Sequence, residues 1–234
     1  MKYIAHRGAC LEETENTLAA LEKGASYGAF AVECDPQFTR DGVAILFHDP
    51  DLSRLANDPR KVADLTYSEI CLAMEAAGKS VTTLDVLIAG YRGGSAVLFD
   101  LPRVTDEAFF RKLANAPFHT IAGVHALDEA EIAAKLFPRE DILAFMPKPE
   151  MAQGFASAGA GNLRLWEHWL PDHPIAEVRK SVPADREVWI MMADMAIDHP
   201  LFCMNGSVES LKKLKALGAD GVLLNDIALM RENI

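Results

Sequence analysis

The sequence predicts a (β/α)8 barrel (a TIM barrel) with a small hairpin insertion after the second strand. Short apolar runs alternate with longer helical patterns, and the alternation repeats eight times along the 234 residues. Half of the residues are hydrophobic and 24% are charged, which suits a single globular domain over residues 1–234 and excludes a disordered chain. An open doubly wound sheet is the alternative fold, and a nucleotide-binding version of it is disfavoured because no GxGxxG motif follows the first strand.

The predicted elements follow one another in regular order. The strands are Tyr3–His6, Ala31–Pro36, Ala96–Leu101, Thr120–Gly123, Ile142–Phe145, Asn162–Trp166, Val188–Met192 and Gly221–Leu224. The helices are Asn16–Tyr27, Tyr67–Glu75 with Leu84–Tyr91, Asp106–Asn115, Leu127–Leu136, Pro149–Ser157, Ile175–Ser181, Val208–Leu217 and a short one at Ile227–Glu232. A helix therefore follows every strand, as parallel strands in a barrel require.

A hairpin interrupts this alternation after the second strand. Asp41-Gly42 stands between two apolar runs, which is a signal for a tight turn. Centring the turn on these two residues places His48 opposite Asp35, and Asp49 close to Cys34. The hairpin is therefore expected to bring a histidine beside carboxylates at the barrel rim, where barrel enzymes have their active sites.

Charge and cysteine content narrow the functional classes. The net charge of −11 argues against general affinity for nucleic acid or for an anionic membrane, both of which need a basic surface. No apolar run approaches the roughly 18 residues of a membrane span, and the first ten residues do not form a secretory signal. The four cysteines form no CxxC pair, so we expect reduced thiols in a cytoplasmic protein, without structural zinc.

Three carboxylates are candidate metal ligands. Glu33 and Asp35 alternate with Cys34 along the second strand, so both acidic side chains face one side of it. Asp100, at the end of the third strand, is a natural third ligand. Carboxylates crowded together repel each other and need a cation, and an all-oxygen ligand set suits Mg²⁺ or Ca²⁺.

Two histidines and an arginine complete the candidate site. His6 and His48 flank the carboxylates from the first strand and from the hairpin, and they suit a pair that exchanges protons. Arg7 matches a phosphate geometrically, so the constellation fits a phosphodiester substrate. Asn16 is either part of the site or a helix N-cap, and Arg54 reads as a surface charge. The remaining histidines are predicted to be structural: His119, His125, His168, His173 and His199.

Five ordered motifs resemble the glycerophosphodiester phosphodiesterase family. They are His6-Arg7-Gly8, Glu15-Asn16-Thr17, Glu33-Cys34-Asp35, Thr39-Arg40-Asp41-Gly42 and His48-Asp49. The resemblance implies a TIM barrel that hydrolyses glycerophosphodiesters to glycerol 3-phosphate and an alcohol. It also implies a divalent metal at Glu33 and Asp35, an acid–base pair of His6 and His48, and phosphate binding by Arg7.

The chain departs from the family pattern after about residue 66. Asp100 replaces a glutamate, and Pro102 stands where the family has a lysine, so a phosphate-binding cation is missing from that place. We expect a second cation at the barrel mouth from elsewhere, Lys148 by preference and Arg103 as the alternative. The predicted substrate-binding residues are therefore Arg7, Asn16 and Lys148.

Two other functions remain open at this point. Changes at Pro102, Met192 and Asn225 also fit a phosphodiester-binding protein with impaired catalysis. A related phospholipase acting on lipid is a further alternative, although the sequence has no exposed apolar or basic docking stretch. The sequence gives neither the head group of the substrate nor the oligomeric state.

Overall fold

The fold is a closed barrel of eight parallel strands, here in a computed structural model that describes residues 1–101, 106–192 and 207–232. Each strand pairs with the next one along the chain, and the last strand pairs with the first. The barrel strands are β1 (Lys2–Ala5), β2 (Ala31–Cys34), β3 (Ala96–Asp100), β4 (Thr120–Val124), β5 (Ile142–Phe145), β6 (Asn162–Trp166), β7 (Glu187–Met191) and β8 (Gly221–Leu224). All eight predicted strands are confirmed, and the open-sheet alternative is wrong.

Helices connect the strands and cover the outside of the barrel. They are α1 (Leu18–Ser26), α2 (Ser53–Ala56), α3 (Tyr67–Ala76), α4 (Leu84–Gly90), α5 (Glu107–Ala114), α6 (Leu127–Ala133), α7 (Ala152–Ser157), α8 (Ile175–Lys180) and α9 (Val208–Ala216). Two predicted helices differ in form: Pro149–Met151 is a 3₁₀ turn before α7, and Ile227–Arg231 is a 3₁₀ turn. None of the described helices is long and apolar enough to cross a membrane.

Helix α1 begins two residues later than predicted. Asn16 has a left-handed backbone with φ of 59°, which cannot belong to a right-handed helix. Thr17 is the N-cap instead, and its side chain accepts a hydrogen bond from the Ala20 N–H. Asn16 is therefore left to the site rather than to the helix.

Side chains alternate between the barrel interior and the helix layer. On β2, Cys34 belongs to the apolar layer shared with the helices, whereas Glu33 and Asp35 form a carboxylate group with Asp100. The interior below them is filled by a separate apolar cluster. Its members are Ile4, Ala31, Ala96, Leu98, Ile121, Leu143, Phe145, Trp189, Met191 and Leu223. The barrel interior is thus packed with apolar side chains, and the carboxylate group lies above them at the mouth.

The insertion after β2 is larger than a hairpin. Ala44–Leu46 pairs with Pro36–Phe38 on one side and with Thr82–Thr83 on the other, and a second antiparallel pair joins Asp51–Leu52 to Asp58–Lys61. A separate apolar cluster packs beneath these strands and α3. It comprises Ile45, Phe47, Leu52, Val62, Leu65, Ile70 and Met74. The insertion therefore has its own small core, which gives the residues that it presents to the mouth a firm support.

The register of the hairpin differs by one residue from the prediction. Pro36 pairs with Leu46, and Phe47 N–H donates to the Asp35 carbonyl at 2.8 Å, so Phe47 rather than His48 stands opposite Asp35. The turn is a longer loop in which Thr39 N–H donates to the Val43 carbonyl at 3.0 Å. Asp35 and His48 nevertheless line one cavity. The predicted pairing is therefore wrong in register and correct in bringing the two residues to one place.

Candidate active site

The loop after β1 positions the first site residues by a tight left-handed turn. Arg7 and Gly8 have φ of 55° and 77°. A side chain on Gly8 would lie 2.5 Å from the backbone of Ala20, so only glycine lets the loop pack against α1. The Arg7 N–H is thereby directed to Glu33, to which it donates a hydrogen bond at 2.7 Å.

Asn16 anchors the other end of this loop. Its N–H donates to the Arg7 carbonyl at 3.2 Å. Its side-chain amide donates to Asp35 Oδ2 at 2.7 Å, and its Oδ1 accepts the Asp35 N–H at 3.0 Å. These contacts fix the Asp35 carboxylate, and the predicted contact of Asn16 with substrate stays a prediction. Strained backbone at Arg7 and Asn16 is held by this bonding, a pattern common at functional sites.

Glu33, Asp35 and Asp100 form a compact carboxylate group at the mouth. Each offers an oxygen within 4.8 Å of the others. Burial and the neighbouring charges of Asp35 and Asp100 raise the pKa of Glu33, and burial and Asp100 raise that of Asp35. Glu33 Oε1 is fully buried and accepts no hydrogen bond from the described residues. An unsatisfied buried oxygen beside two further carboxylates fits a divalent cation with oxygen ligands.

The two predicted catalytic histidines lie at the same mouth but have different partners. His6 is buried, and its Nδ1 donates to Asn225 Oδ1 at 2.7 Å, while its Nε2 lies 4.0 Å from Glu33. His48 is exposed, and its Nδ1 donates to Asp49 Oδ1 at 2.7 Å. In the neutral tautomer that these bonds select, Nε2 is the proton-accepting nitrogen of each ring.

A chain of alternating charges links the β1 loop to the insertion. Arg7 donates to Glu15 at 3.1 Å, and Arg54 donates to both oxygens of Glu15 at 2.6 and 2.7 Å. Arg54 also donates to Asp49 at 2.6 Å, and Asp49 in turn orients His48. Arg54 is therefore an exposed charge, as the sequence alternative has it, and it also supports the site through its ion pairs with Glu15 and Asp49.

Sequence analysis missed His125. Its Nε2 donates to Asp100 Oδ1 at 2.5 Å, and its ring stacks on Phe145 with centroids 5.2 Å apart. Burial opposes the charged form, but the hydrogen bond and charge of Asp100 outweigh it and raise the pKa of His125. The available signal was its position directly after β4, equivalent to that of His6 after β1.

Arg164 is the second residue that sequence analysis missed. It lies on β6, is buried, and lines a cavity of about 210 Å³ at the mouth. The other residues of that cavity are His6, Arg7, His48, Asp100, His125, Phe145, Trp166, Met191 and Met192. The sequence signal for Arg164 was a charged residue between two leucines, at an inward-facing position of β6.

Lys148 is not brought together with the other predicted residues. Its side chain is exposed after β5, and it lines neither this cavity nor the adjoining one of about 320 Å³ that contains Asp35 and His48. Its role in substrate binding stays a prediction. Pro102, Arg103, His199 and Cys203 lie outside the described residues.

Comparison with known proteins finds a family model that covers more than half of the chain. The family model for the glycerophosphoryl diester phosphodiesterase family matches residues 6–136. Glycerophosphodiester phosphodiesterase 1 of Bos taurus is 43% identical over 67 residues, which are 29% of this chain and 20% of the bovine protein. The match to this relative therefore spans only a fifth of its length.

Solved structures share the whole fold. A glycerophosphodiester phosphodiesterase from Thermotoga maritima superposes with a TM-score of 0.76 at 18% identity, over 99% of this chain and 97% of that one. An Oleispira antarctica phosphodiesterase, solved with the product sn-glycerol-3-phosphate, gives a TM-score of 0.70 at 18% identity, over 99% and 96%. The similarity of the barrel thus extends well beyond the segment in which sequence identity is high.

Proposed function

The chain belongs to the glycerophosphoryl diester phosphodiesterase family, and on that premise we propose that it hydrolyses glycerophosphodiesters to glycerol 3-phosphate and an alcohol. The observation that carries the proposal is the convergence of His6, Arg7 and His48 with a buried carboxylate group around one cavity. Water attack on a phosphodiester needs charge neutralisation and two proton transfers, and this set of residues can supply both.

The carboxylate group is the proposed site of a divalent cation, Mg²⁺ or Ca²⁺. Glu33, Asp35 and Asp100 would hold it, and Glu33 Oε1 has no competing hydrogen-bond donor among the described residues. Such an ion, when bound, neutralises charge on the phosphoryl oxygens. The Asn16 amide and the Arg7 N–H already hold Asp35 and Glu33 in place, so the ligand geometry is set before an ion arrives.

Arg7 is the proposed phosphate ligand on the β1 side. Its guanidinium lines the cavity, donates to Glu15, and lies 3.7 Å from Asp35 through Nε. These contacts hold a planar cation beside the carboxylate group, where a phosphoryl oxygen would meet the guanidinium and the divalent cation that the carboxylates would hold. Phosphate recognition by a guanidinium of fixed orientation is strong and directional.

His6 and His48 are the proposed acid–base pair. One imidazole Nε2 takes a proton from the attacking oxygen nucleophile as its bond to phosphorus forms. The bond from phosphorus to the alcohol oxygen breaks, and the other imidazole, which enters the reaction as an imidazolium, gives its Nε2 proton to that oxygen. The rings have different partners, a neutral amide for His6 and a carboxylate for His48, so we propose that the two roles are not interchangeable.

A panel of glycerophosphodiesters tests this function. We expect release of glycerol 3-phosphate from substrates such as glycerophosphocholine with Mg²⁺ or Ca²⁺, and loss of release with a chelator. Lysophosphatidylcholine forms a separate arm that identifies a lipid-directed phospholipase. Tight binding without turnover in every arm would favour the impaired-catalysis alternative and contradict the proposal.

We also propose that residues 1–234 act as one domain in the cytoplasm. Cys10, Cys34 and Cys71 are free thiols, which supports a reducing compartment. Reaction of these thiols with a reporter in extracts prepared under non-reducing conditions tests the compartment.

A further inference from the structure

Arg164 faces the inside of the barrel at a depth where charges are rare. Its strand neighbours Leu163 and Leu165 pack in the apolar layer against the helices, so alternation turns Arg164 inward. Only 4% of the residue is exposed. A buried guanidinium needs compensation, because burying an unpaired charge is costly.

Aromatic rings hold the guanidinium but do not satisfy its donors. Its central carbon lies 4.4 Å from the ring centroid of Trp166, 5.2 Å from Phe145 and 5.6 Å from Trp169. Ring faces stabilise a cation and leave its N–H edge available. Nε and Nη1 are buried and donate no hydrogen bond to any described residue. Buried donors without partners are uncommon in native proteins, and the residue that carries these donors lines a cavity.

That cavity is the one that holds the proposed catalytic residues. Arg164 lines it together with His6, Arg7 and His48. Burial lowers the pKa of Arg164 to about 10, with Asp100 opposing the shift, so the side chain remains a cation at neutral pH. Asp100 accepts a hydrogen bond from His125 and belongs to the carboxylate group. It accepts no hydrogen bond from Nε or Nη1 of Arg164.

We propose that Arg164 binds the phosphoryl group of the substrate, as the second cation that Pro102 cannot provide. The inference rests on the proposed function and deepens it. A buried cation whose Nε and Nη1 have no acceptor among the described residues favours an anionic ligand, and the phosphate is the one anion that every glycerophosphodiester contains. Arg7 then approaches the phosphate from the loop after β1, and Arg164 approaches it from β6. Each guanidinium binds a different phosphoryl oxygen.

Variants at Arg164 distinguish binding of the phosphate from binding of the alcohol portion of the substrate. We expect Arg164→Gln to raise KM about 10- to 100-fold by the same factor for neutral, zwitterionic and anionic head groups, because the lost contact is to the shared phosphate. Arg164→Lys retains charge without the planar fork, so it should recover part of the loss. Arg111→Gln, an exposed arginine on α5, is the matched control, and Lys148→Gln tests the competing cation.

Binding measurements separate this inference from the proposed function. Calorimetry with glycerol 3-phosphate and with inorganic phosphate should show the same 10- to 100-fold weakening in Arg164→Gln, whereas direct titration of Mg²⁺ or Ca²⁺ should change less than about threefold. If the wild-type protein binds phosphate through Arg164 but hydrolyses no substrate, the proposed function fails and the inference stands. If Arg164→Gln does not fold, Arg164→Lys is compared with the wild type instead. We then expect intermediate losses of affinity for glycerol 3-phosphate and for inorganic phosphate.

Three results would overturn the inference. The first is unchanged affinity for both phosphates in a folded Arg164→Gln protein. The second is a loss confined to anionic head groups, which would assign Arg164 to the alcohol. The third is a loss in Lys148→Gln with none at Arg164, which would return the role to the exposed lysine after β5.

Discussion

The two halves of the barrel mouth are built on different principles. The motif half comes from the β1 loop, β2 and the insertion, and its polar groups bond to one another: Arg7 to Glu15, Glu15 to Arg54, and Asn16 to Asp35. The apolar half comes from β5, β6 and β7, and consists of Phe145, Arg164, Trp166, Met191 and Met192. One half has donors and acceptors paired in a network, whereas the described residues of the other half include one cation, which lies between aromatic rings.

This difference separates chemistry from recognition. A paired network fixes the orientation of carboxylates and imidazoles, which proton transfer and cation binding both require. An apolar wall fixes little and instead shapes the space left for a ligand. We therefore expect changes in the motif half to reduce turnover whatever the substrate, and changes in the apolar side chains of the other half to alter which substrates are used. Arg164 is the exception in that half, because its proposed ligand is the phosphate that all the substrates share.

The largest effect is expected from the carboxylate group. Asp35→Ala removes a predicted cation ligand and releases the Asn16 amide, so we expect loss of the divalent cation and a fall in kcat of at least about 1,000-fold. Calorimetric titration of Mg²⁺ and Ca²⁺ together with steady-state kinetics would measure both. Glu131→Ala, an exposed carboxylate on α6, is the control. Undiminished turnover of the wild type after exhaustive chelation would contradict the role of the group.

The histidines are expected to give the next largest effect. A positioned proton-transfer group contributes about 10²–10⁴-fold, so His6→Ala and His48→Ala should each lose kcat of that order with smaller changes in KM. Because both act in one reaction, the loss in the double variant should be far smaller than the product of the single losses.

A folded single variant with near-normal turnover would reassign that histidine to a structural role. Thermal unfolding distinguishes this result from misfolding, and His6 deserves the closer check because it is buried against Asn225.

The same comparison shows what the sequence can and cannot predict. The motif half lies largely within residues 6–54, and strand alternation alone placed Glu33 and Asp35 on one face. Arg164 and His125 could not be assigned in this way, because their role depends on which strands adjoin them in the closed barrel. The hairpin register was wrong because the Thr39 hydroxyl bonds to Asp41 and to the Val43 carbonyl, which builds a longer loop than Asp-Gly alone indicates.

In the apolar half, Met192→Ala should change selectivity more than rate. The side chain is buried at the cavity wall, so truncation enlarges the space beside the substrate. One extra or missing methylene group in a hydrophobic pocket is worth about 1–3 kcal/mol, which is roughly 10- to 200-fold discrimination. We expect the ratio of kcat/KM between large and small head groups to rise by up to that factor, with cation affinity unchanged. Equal changes in kcat for all head groups would erase the distinction between the halves.

The smallest expected effect concerns the stability that the charge chain gives to the motif half. Burial would raise the pKa of Glu15, but the hydrogen bonds and charge of Arg54, with Arg7, outweigh it and hold that pKa below its ordinary value. The pKa of Asp49 is likewise lowered by Arg54 and His48 against the effect of burial.

Carboxylates with lowered pKa stabilise the fold above their unfolded pKa, and the contribution disappears as the pH falls through the folded value. Arg54 is partly exposed, so we expect Arg54→Ala to cost only about 1 kcal/mol of unfolding free energy at about pH 7, and less at about pH 3. Urea unfolding of both proteins at the two pH values measures the difference, with Arg111→Ala as the exposed control. A difference that persists undiminished in acid would mean that Arg54 stabilises the insertion by packing, not by the ion pairs that join it to the β1 loop.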